Sequence, residues 1–257
     1  MSLIPQRLAN LTLLVMIICI PFIIYYLSKE KKLFLKIRRI AALDAIEESI
    51  GRAVEMGRPV HFTTGLAGIT DVRAPMTLAG VSILSHVARL CARLNTRLFV
   101  TIGDATVLPL TLSTVREAYR VENAMDQYSD DIVFFPSGGY RQRIIQLLQD
   151  ENCAANIMIG AFHGEAMLLV DGGYRAGAIN IGGNPRIQMI PFFVVGCDYT
   201  FIGEENYAAS IAVSGEPLEL SYLGGQDIIK GITVIMIILG SILTSFGITF
   251  IQKILGS

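Results

Sequence analysis

Charge is scarce in this sequence, and its cysteines occur only singly. Charged residues make up 17% of the chain, and the formal net charge is -1. A large basic face, which nucleic-acid binding requires, is therefore not expected. The four cysteines are Cys19, Cys91, Cys153 and Cys197. No two of them form a CxxC pair, which argues against a zinc site or a redox pair, and dispersed cysteines suit a reducing compartment.

The sequence also lacks the short motifs that identify common catalytic and nucleotide-binding sites. Neither GxGxxG nor GxxxxGK[ST] occurs, so no phosphate-binding loop can be assigned from a motif. There is no Gly-x-Ser-x-Gly elbow, and no cysteine–histidine spacing indicates a nucleophile. The sequence therefore predicts no metal site, and it identifies neither a catalytic residue nor a cofactor.

Hydrophobic residues, by contrast, make up 52% of the chain, and two long runs of residues carry no charge. The runs are residues 8–27 and 231–251. Each is long enough to cross a bilayer, which takes about 20 apolar residues in a helix. Only Arg7 precedes the first run, and no A-x-A site follows it. These features favour an uncleaved anchor over a signal peptide, which is the alternative.

Basic residues on one side of the first run predict the orientation of the chain. The residues that follow this run are Lys29, Lys31, Lys32, Lys36, Arg38 and Arg39, whereas Arg7 alone precedes it. The positive-inside rule then places the middle of the chain in the cytoplasm and both termini outside. We therefore expect a cell-membrane protein that contacts membrane lipids.

Small residues in the second run predict association between membrane helices. They are Gly240, Ser241, Thr244, Ser245 and Gly247, spaced three and four apart. Such a face lets helices approach closely, although ordinary glycine and serine content is the alternative explanation.

Between the two runs, short β-rich segments alternate with amphipathic helical segments. Predicted strands are residues 60–63, 97–102, 131–135, 155–159, 178–181 and 189–195. Predicted helices are a segment that begins after Asp71 and includes Pro75, and residues 108–125, 140–148, 164–175 and 204–213. Asp71 is expected to cap the first of these helices. Strands alternating with helices indicate an α/β domain with a doubly wound, mostly parallel sheet in a Rossmann-like three-layer sandwich.

The chain is accordingly divided into four parts. Residues 1–28 are the N-terminal transmembrane anchor, and 29–57 form a basic amphipathic helix beside the membrane. Residues 58–225 form the cytoplasmic α/β domain, and 226–257 contain the C-terminal transmembrane helix.

The carboxyl ends of the predicted strands are the expected ligand-binding edge of the sheet. Candidate ligand-binding residues there are Thr63, Thr64, Gly65, Gly68, Gly103, Asp104, Ser137, Gly138, Gly139 and Asp198. Glycine lets backbone amides approach a phosphate, and helix N-termini favour anions, which together predict a nucleotide or phosphate cleft. The alternative is that these turns use glycine for geometry alone.

Few polar side chains are candidates for chemistry. His61 lies within a predicted strand and is expected to be a core residue. His163 and Glu165 flank Gly164 and are candidates for an acid–base or metal role, although two side chains are too few for a metal site. Asp71, Asp104 and Asp198 could converge on a cation or a ribose; they are equally typical of simple turns.

Three segments resemble an uncharacterised family of prokaryotic membrane proteins. The segments are HFTTGLAGITDVRAPMTLAG, RLFVTIGDATVLPLT and VFFPSGGYRQ. The family is known only as a domain of unknown function, and the resemblance covers residues 39–225. It implies a prokaryotic plasma-membrane protein, and it implies no catalytic residue that could be carried over.

Three functional hypotheses follow. The first is a structural subunit of a homo-oligomeric membrane assembly, in contact through the soluble domain and the second transmembrane helix, with small-ligand binding as an addition. The alternative is a membrane-tethered sensor that binds a nucleotide or phosphometabolite in the glycine-lined cleft. A tethered enzyme would instead act on a nucleotide or lipid-linked substrate through Asp104, His163 or Asp198. A transporter is disfavoured because neither hydrophobic run contains a charged residue.

Overall fold

A parallel sheet of six strands forms the centre of the α/β unit. The computed structural model describes residues 14–15, 17–20, 22–26, 39–136 and 138–245. The strands are β1 (Val60–Gly65), β2 (Leu98–Thr101), β3 (Val133–Phe134), β4 (Ala155–Ala161), β5 (Ile179–Asn184) and β6 (Tyr199–Ile202). Their order in the sheet is β3-β2-β1-β4-β5-β6, and every neighbouring pair is parallel. The predicted doubly wound α/β fold is thus confirmed.

Helices alternate with these strands and flank the sheet, and a last, long helix follows in the chain. They are α1 (Ala41–Met56), α2 (Ala74–Arg93), α3 (Leu108–Val121), α4 (Tyr140–Asp150), α5 (Glu165–Arg175), α6 (Ile190–Gly196), α7 (Glu205–Ser214) and α8 (Pro217–Ser245). Helices α1, α2, α3 and α7 pack on one face of the sheet, and α4, α5 and α6 pack on the other. Because both faces are covered, every residue of β1 and β4 is buried.

Close packing of helix α2 on the sheet depends on a glycine. A Cβ atom added at Gly80 would lie 2.3 Å from the carbonyl oxygen of Ile159 in β4. The helix carries Pro75 in its first turn, as expected, where the missing N–H costs nothing. Asp71, however, is not its N-cap. The cap position is Arg73, and Asp71 instead accepts the Arg73 N–H, because the helix begins two residues later than the predicted cap implies.

The segment before the last strand differs from the prediction. Residues 189–195 were expected to be a strand, but Ile190–Gly196 is helix α6, with Pro191 in its first turn. A short apolar run has no period that distinguishes strand from helix, and the proline decides for the helix start. The sheet edge is formed instead by β6, Tyr199–Ile202, which the sequence did not predict.

Contacts within the chain separate Arg39–Ser214 from a second unit made of Met1–Arg38 and Gly215–Ser257. In the second unit, the described residues of 14–26 are helical, and α8 has 29 residues. Two described helices are long and apolar enough to cross a membrane, α2 and α8. Half of the apolar window of α2 is buried in the sandwich, whereas none of that of α8 is buried. The basic segment at 29–38 and the end of the second run lie outside the described residues.

Candidate functional site

The topological switch point of the sheet lies between β1 and β4. The chain passes from β1 towards β2 and β3 on one side, and from β4 towards β5 and β6 on the other. Connections therefore diverge here, which opens a crevice beyond the carboxyl ends of the two strands. The crevice receives the segments that follow β1, β4 and β5, and these bring together residues far apart in sequence.

Two arginines converge on one histidine in this crevice. The Nη1 atoms of Arg73 and Arg186 each lie 3.0 Å from Nε2 of His163. The same Nη1 atom of Arg73 also lies 3.1 Å from Nδ1 of His163. Because a guanidinium group can only donate hydrogen bonds, an unprotonated nitrogen of the imidazole is the acceptor. All three side chains are half-buried. We call these three residues the arginine–histidine cluster.

Arg73 is held in place by a neighbouring carboxylate. Its Nε lies 3.1 Å from both oxygens of Asp71, and its Nη2 also donates to that carboxylate. These hydrogen bonds lower the pKa of Asp71 to about 2. The charge of Arg73 is therefore partly neutralised before any ligand arrives.

Arg186 has no comparable partner. Its backbone N–H donates to Oδ1 of Asn184 at 2.9 Å, and Nδ2 of Asn184 donates to the Phe162 carbonyl at 3.0 Å. These two bonds tie the segment after β5 to the segment after β4 and so orient Arg186. Among the residues that the structure describes, no carboxylate forms an ion pair with its guanidinium. Arg186 thus presents an unneutralised positive charge to the crevice.

A cavity of about 500 Å³ lies at the same edge of the sheet. It is lined by Leu66, Gly139, Tyr140, Arg141, Gln142 and Glu165. Glu165 is 6% exposed, and its Oε1 accepts the backbone N–H of His163 at 2.9 Å. The cavity is therefore adjacent to the arginine–histidine cluster through this one hydrogen bond.

Tyr140 connects the cavity to the core of the sheet. Its hydroxyl lies 2.5 Å from Oγ1 of Thr63, on β1. Burial raises the pKa of the Tyr140 hydroxyl, so the group stays neutral. It can donate a hydrogen bond to Thr63 or accept one from it. Helix α4 begins at Tyr140, and its N-cap, Gly139, makes no side-chain capping bond.

The predicted glycines at this edge have packing reasons of their own. A Cβ atom added at Gly65 would lie 2.2 Å from the carbonyl oxygen of Ala161. A Cβ atom added at Gly103 would lie 2.6 Å from the carbonyl oxygen of Gly65. Gly68 lies against Asp104, whose Oδ1 accepts from the N–H of Thr106 at 2.8 Å. Asp104 thus caps the turn that follows β2.

The other predicted residues divide between the crevice and the opposite edge. Thr63 and Thr64 are buried in β1, Gly139 lines the cavity, and Gly138 precedes it in the chain. Ser137 lies outside the described residues. Asp198 lies at the amino ends of the strands, where its Oδ2 accepts the N–H of Asn180 at 2.8 Å. It is therefore not brought to the crevice, because the segment before it is helix α6 and the strand follows it.

Sequence reasoning found His163 and Glu165 but missed both arginines. Arg73 follows β1 by eight residues, and Arg186 follows β5 by two. The signal that could have pointed to them is a basic residue in a segment that follows a strand, which holds for both arginines. In the described part of the chain, no group of three or more His, Cys, Asp or Glu side chains is placed to hold a metal ion. The polar groups of the crevice include two guanidinium groups, an imidazole and the carboxylates of Asp71 and Glu165.

Comparison with known proteins agrees with the resemblance drawn from the sequence. A family model described as a domain of unknown function, DUF6754, matches residues 2–255. Neither the curated proteins nor the solved structures give a match. Since the match covers almost the whole length, the chain belongs to the DUF6754 family.

Proposed function

We propose that this protein is a membrane-anchored module whose α/β unit binds a small anionic ligand at the switch-point crevice. One observation carries the proposal: the guanidinium groups of Arg73 and Arg186 meet at a single imidazole, and only one of the two arginines has a described carboxylate partner. Bringing two positive charges together is costly, and an anion between them would offset that cost.

The chemistry of arginine indicates which anions fit. The planar guanidinium group matches the spacing of two oxygens in a phosphate or a carboxylate, and such charge-assisted bonds are about twice as strong as neutral ones. The site is formed by side chains, since the first amides of α2 are already used. The N–H of Ala74 donates to the Asp71 carbonyl and that of Met76 to the Arg73 carbonyl.

The first test is a thermal-shift and calorimetric titration of the detergent-purified chain with inorganic phosphate. Arg186→Gln removes the unneutralised charge, and Arg120→Gln, an exposed arginine paired with Glu117 on α3, is the matched control. We expect phosphate to raise the melting temperature of the natural protein and of the Arg120 variant. At 100 times Kd the stabilisation would be about 2.7 kcal/mol. An equal response from the Arg186 variant would refute the proposal.

Membrane anchoring is supported by helix α8. Its apolar window has a mean hydropathy of 1.8, and none of it is buried within the protein. Together with the first uncharged run, this supports insertion in a membrane. We propose the plasma membrane of a prokaryote from the resemblance of the sequence to a family of prokaryotic membrane proteins. We propose that the α/β unit is cytoplasmic and both termini are outside, on the strength of the basic residues at 29–39.

A homo-oligomeric scaffold is the second candidate function, and exposed apolar side chains favour it. Ile187 and Val195 are 80% and 82% exposed, and Ile202 on the edge strand β6 is 52% exposed. Exposed large apolar side chains and an open edge strand are features of interaction surfaces. Native mass spectrometry of the detergent extract tests this candidate. We expect an oligomer that Val195→Asp dissociates, and a monomeric natural protein would contradict it.

A further inference from the structure

We infer that the ligand is a phosphate ester of a small polyol, with the phosphate on Arg73 and Arg186 and the hydroxyl groups in the cavity beside Glu165. This inference rests on the proposed anion-binding function and extends it from a charge to a class of molecule. The argument comes from the cavity wall.

Glu165 is the deciding residue of that wall. Its side chain lines the cavity although the residue is only 6% exposed, and its one hydrogen bond in the described part of the chain comes from the N–H of His163. No described basic group forms an ion pair with it. The other carboxylate oxygen is open to the cavity, so a ligand that displaces water there must supply a hydrogen-bond donor in its place. Ligand hydroxyl groups are such donors, and carboxylates bind vicinal hydroxyls of ribose in the same way.

The same residue excludes other ligands from the cavity. A second anionic group would be repelled by the carboxylate, and an apolar group would leave the carboxylate oxygen without a donor. A neutral, hydroxyl-rich group satisfies it. The lining also offers amide hydrogens, because α4 begins at Tyr140 and the first N–H groups of a helix have no partner within it.

The two halves of the site are linked through His163 and Glu165. His163 contributes its imidazole to the arginines and its backbone N–H to Glu165. The hydrogen bond with Asp71 raises the pKa of Arg73, and the Glu165 carboxylate adds to that rise. Burial raises the pKa of Tyr140, and Glu165 contributes there too. Glu165 therefore lies between the cluster and the cavity, whose volume of about 500 Å³ is within the usual range for small-molecule sites.

Calorimetry on the full detergent-purified chain tests the inference without any variant. The probes are inorganic phosphate, glucose, glycerol 3-phosphate, ribose 5-phosphate and glucose 6-phosphate. We expect at least one ester to bind about tenfold more tightly than phosphate, and glucose not to bind. If phosphate binds and no ester binds more tightly, the inference fails and the anion site stands. If neither phosphate nor any ester binds, both fail.

Two variants test whether the Glu165 carboxylate causes the preference for the ester over phosphate. Glu165→Gln keeps an oxygen that can accept the His163 N–H but removes the charge, and Glu117→Gln on the exposed face of α3 is the control. We expect the Glu165 variant to lose most of the preference for the ester while binding phosphate as before. A full preference retained in that variant would overturn the assignment.

A lipid headgroup could present the same chemistry as a soluble ester. Reconstitution in vesicles with or without phosphatidylinositol 4-phosphate separates the two sources. A weaker apparent affinity for the ester in the phosphoinositide vesicles would identify the headgroup as ligand. An unchanged affinity would identify the soluble ester.

Discussion

At the scale of single residues, His163 is the shared hydrogen-bond partner of Arg73 and Arg186. Its Nε2 lies 3.0 Å from a guanidinium nitrogen of each arginine, and that nitrogen of Arg73 also lies 3.1 Å from Nδ1. If an anion binds these arginines, as we propose, the imidazole competes with it for their N–H groups.

Replacement of His163 by alanine should accordingly make the protein more responsive to phosphate. Without the imidazole, the guanidinium groups face each other with one acceptor fewer, so we expect the unliganded protein to lose about 1–3 kcal/mol. Saturating phosphate should then raise the melting temperature by more than in the natural protein. His86→Ala, on helix α2, is the control. A smaller phosphate shift in the His163 variant would show that the imidazole binds the anion directly.

His61, unlike His163, is fully buried in the sheet, and both of its ring nitrogens have hydrogen-bond partners. Its Nδ1 lies 2.9 Å from Oδ1 of Asn156, and its Nε2 lies 3.0 Å from Oγ1 of Thr101. Burial lowers the pKa of His61 to about 4, although the hydrogen bond with Asn156 opposes the shift. The side chain is thus neutral at physiological pH, which supports its prediction as a core residue.

The lowered pKa predicts a loss of stability in mild acid. The unfolded chain takes up a proton near pH 6.5, and the folded chain does so only near pH 4. Stability is therefore complete above about pH 6.5 and falls as the pH drops towards 4, by about 3 kcal/mol in total. Thermal unfolding of the natural protein and of His61→Gln at pH 7 and pH 5 measures this. We expect a smaller pH dependence in the variant, and parallel curves would contradict the assignment to His61.

At the scale of elements, the row of polar side chains that begins with Thr101 and His61 joins four strands to helix α5. Nδ2 of Asn156 on β4 donates to Oδ1 of Asn180 on β5 at 2.9 Å, and to the Leu169 carbonyl at 3.2 Å. Nδ2 of Asn180 donates to the Val170 carbonyl at 3.2 Å. Buried amides with partners in adjacent elements fix the register of the sheet, since a shift of one residue would leave every one of them unpaired.

Two glycine-to-alanine substitutions should have opposite effects on stability. Gly80→Ala places a Cβ atom 2.3 Å from the backbone oxygen of Ile159 and pushes α2 off the sheet, at a cost of about 1–3 kcal/mol. Gly51→Ala in α1 meets no atom within 4 Å. Its higher helix propensity should stabilise the protein by about 0.5–1 kcal/mol. Equal melting temperatures for the two variants would contradict this account of the packing.

Elements were predictable from the sequence where their pattern was periodic. The first five strands and the helices between them follow from alternating β-rich and amphipathic segments. Helix α6 was not predicted, because its apolar residues surround it without a polar face to mark a period. Arg186 was missed for a related reason: strand β5 continues to Asn184, three residues beyond its predicted end, which places this arginine at the crevice.

The arginine–histidine cluster could not be predicted from spacing at all. Arg73 and His163 are 90 residues apart, and they meet only because β1 and β4 are neighbours in the sheet. That adjacency depends on which strand follows the crossover, and the local sequence does not encode it. The rule that ligands bind beyond the carboxyl ends of parallel strands identified the correct edge of the sheet. The candidates predicted there were mostly glycines, because no sequence motif pointed to particular side chains.

At the scale of the whole molecule, the predicted orientation can be tested directly. A tag inserted near Asp126, in the exposed segment between α3 and β3, should be protected from protease in intact cells. Tags at either terminus should be cleaved, because both are predicted to lie outside. The same tags in permeabilised cells are the control for accessibility. Cleavage at Asp126 in intact cells would place the α/β unit on the other side of the membrane.

The central position of β1 has a consequence for how the chain is made. The first strand to leave the ribosome needs a neighbour that is synthesised much later, since the hydrogen bond of His61 to Asn156 spans 95 residues. Until β4 emerges, one side of β1 offers unpaired amides and carbonyls to any passing strand. Nascent chains interrupted in this interval should therefore depend on chaperones. Completion of the sheet comes only shortly before α8 is translated.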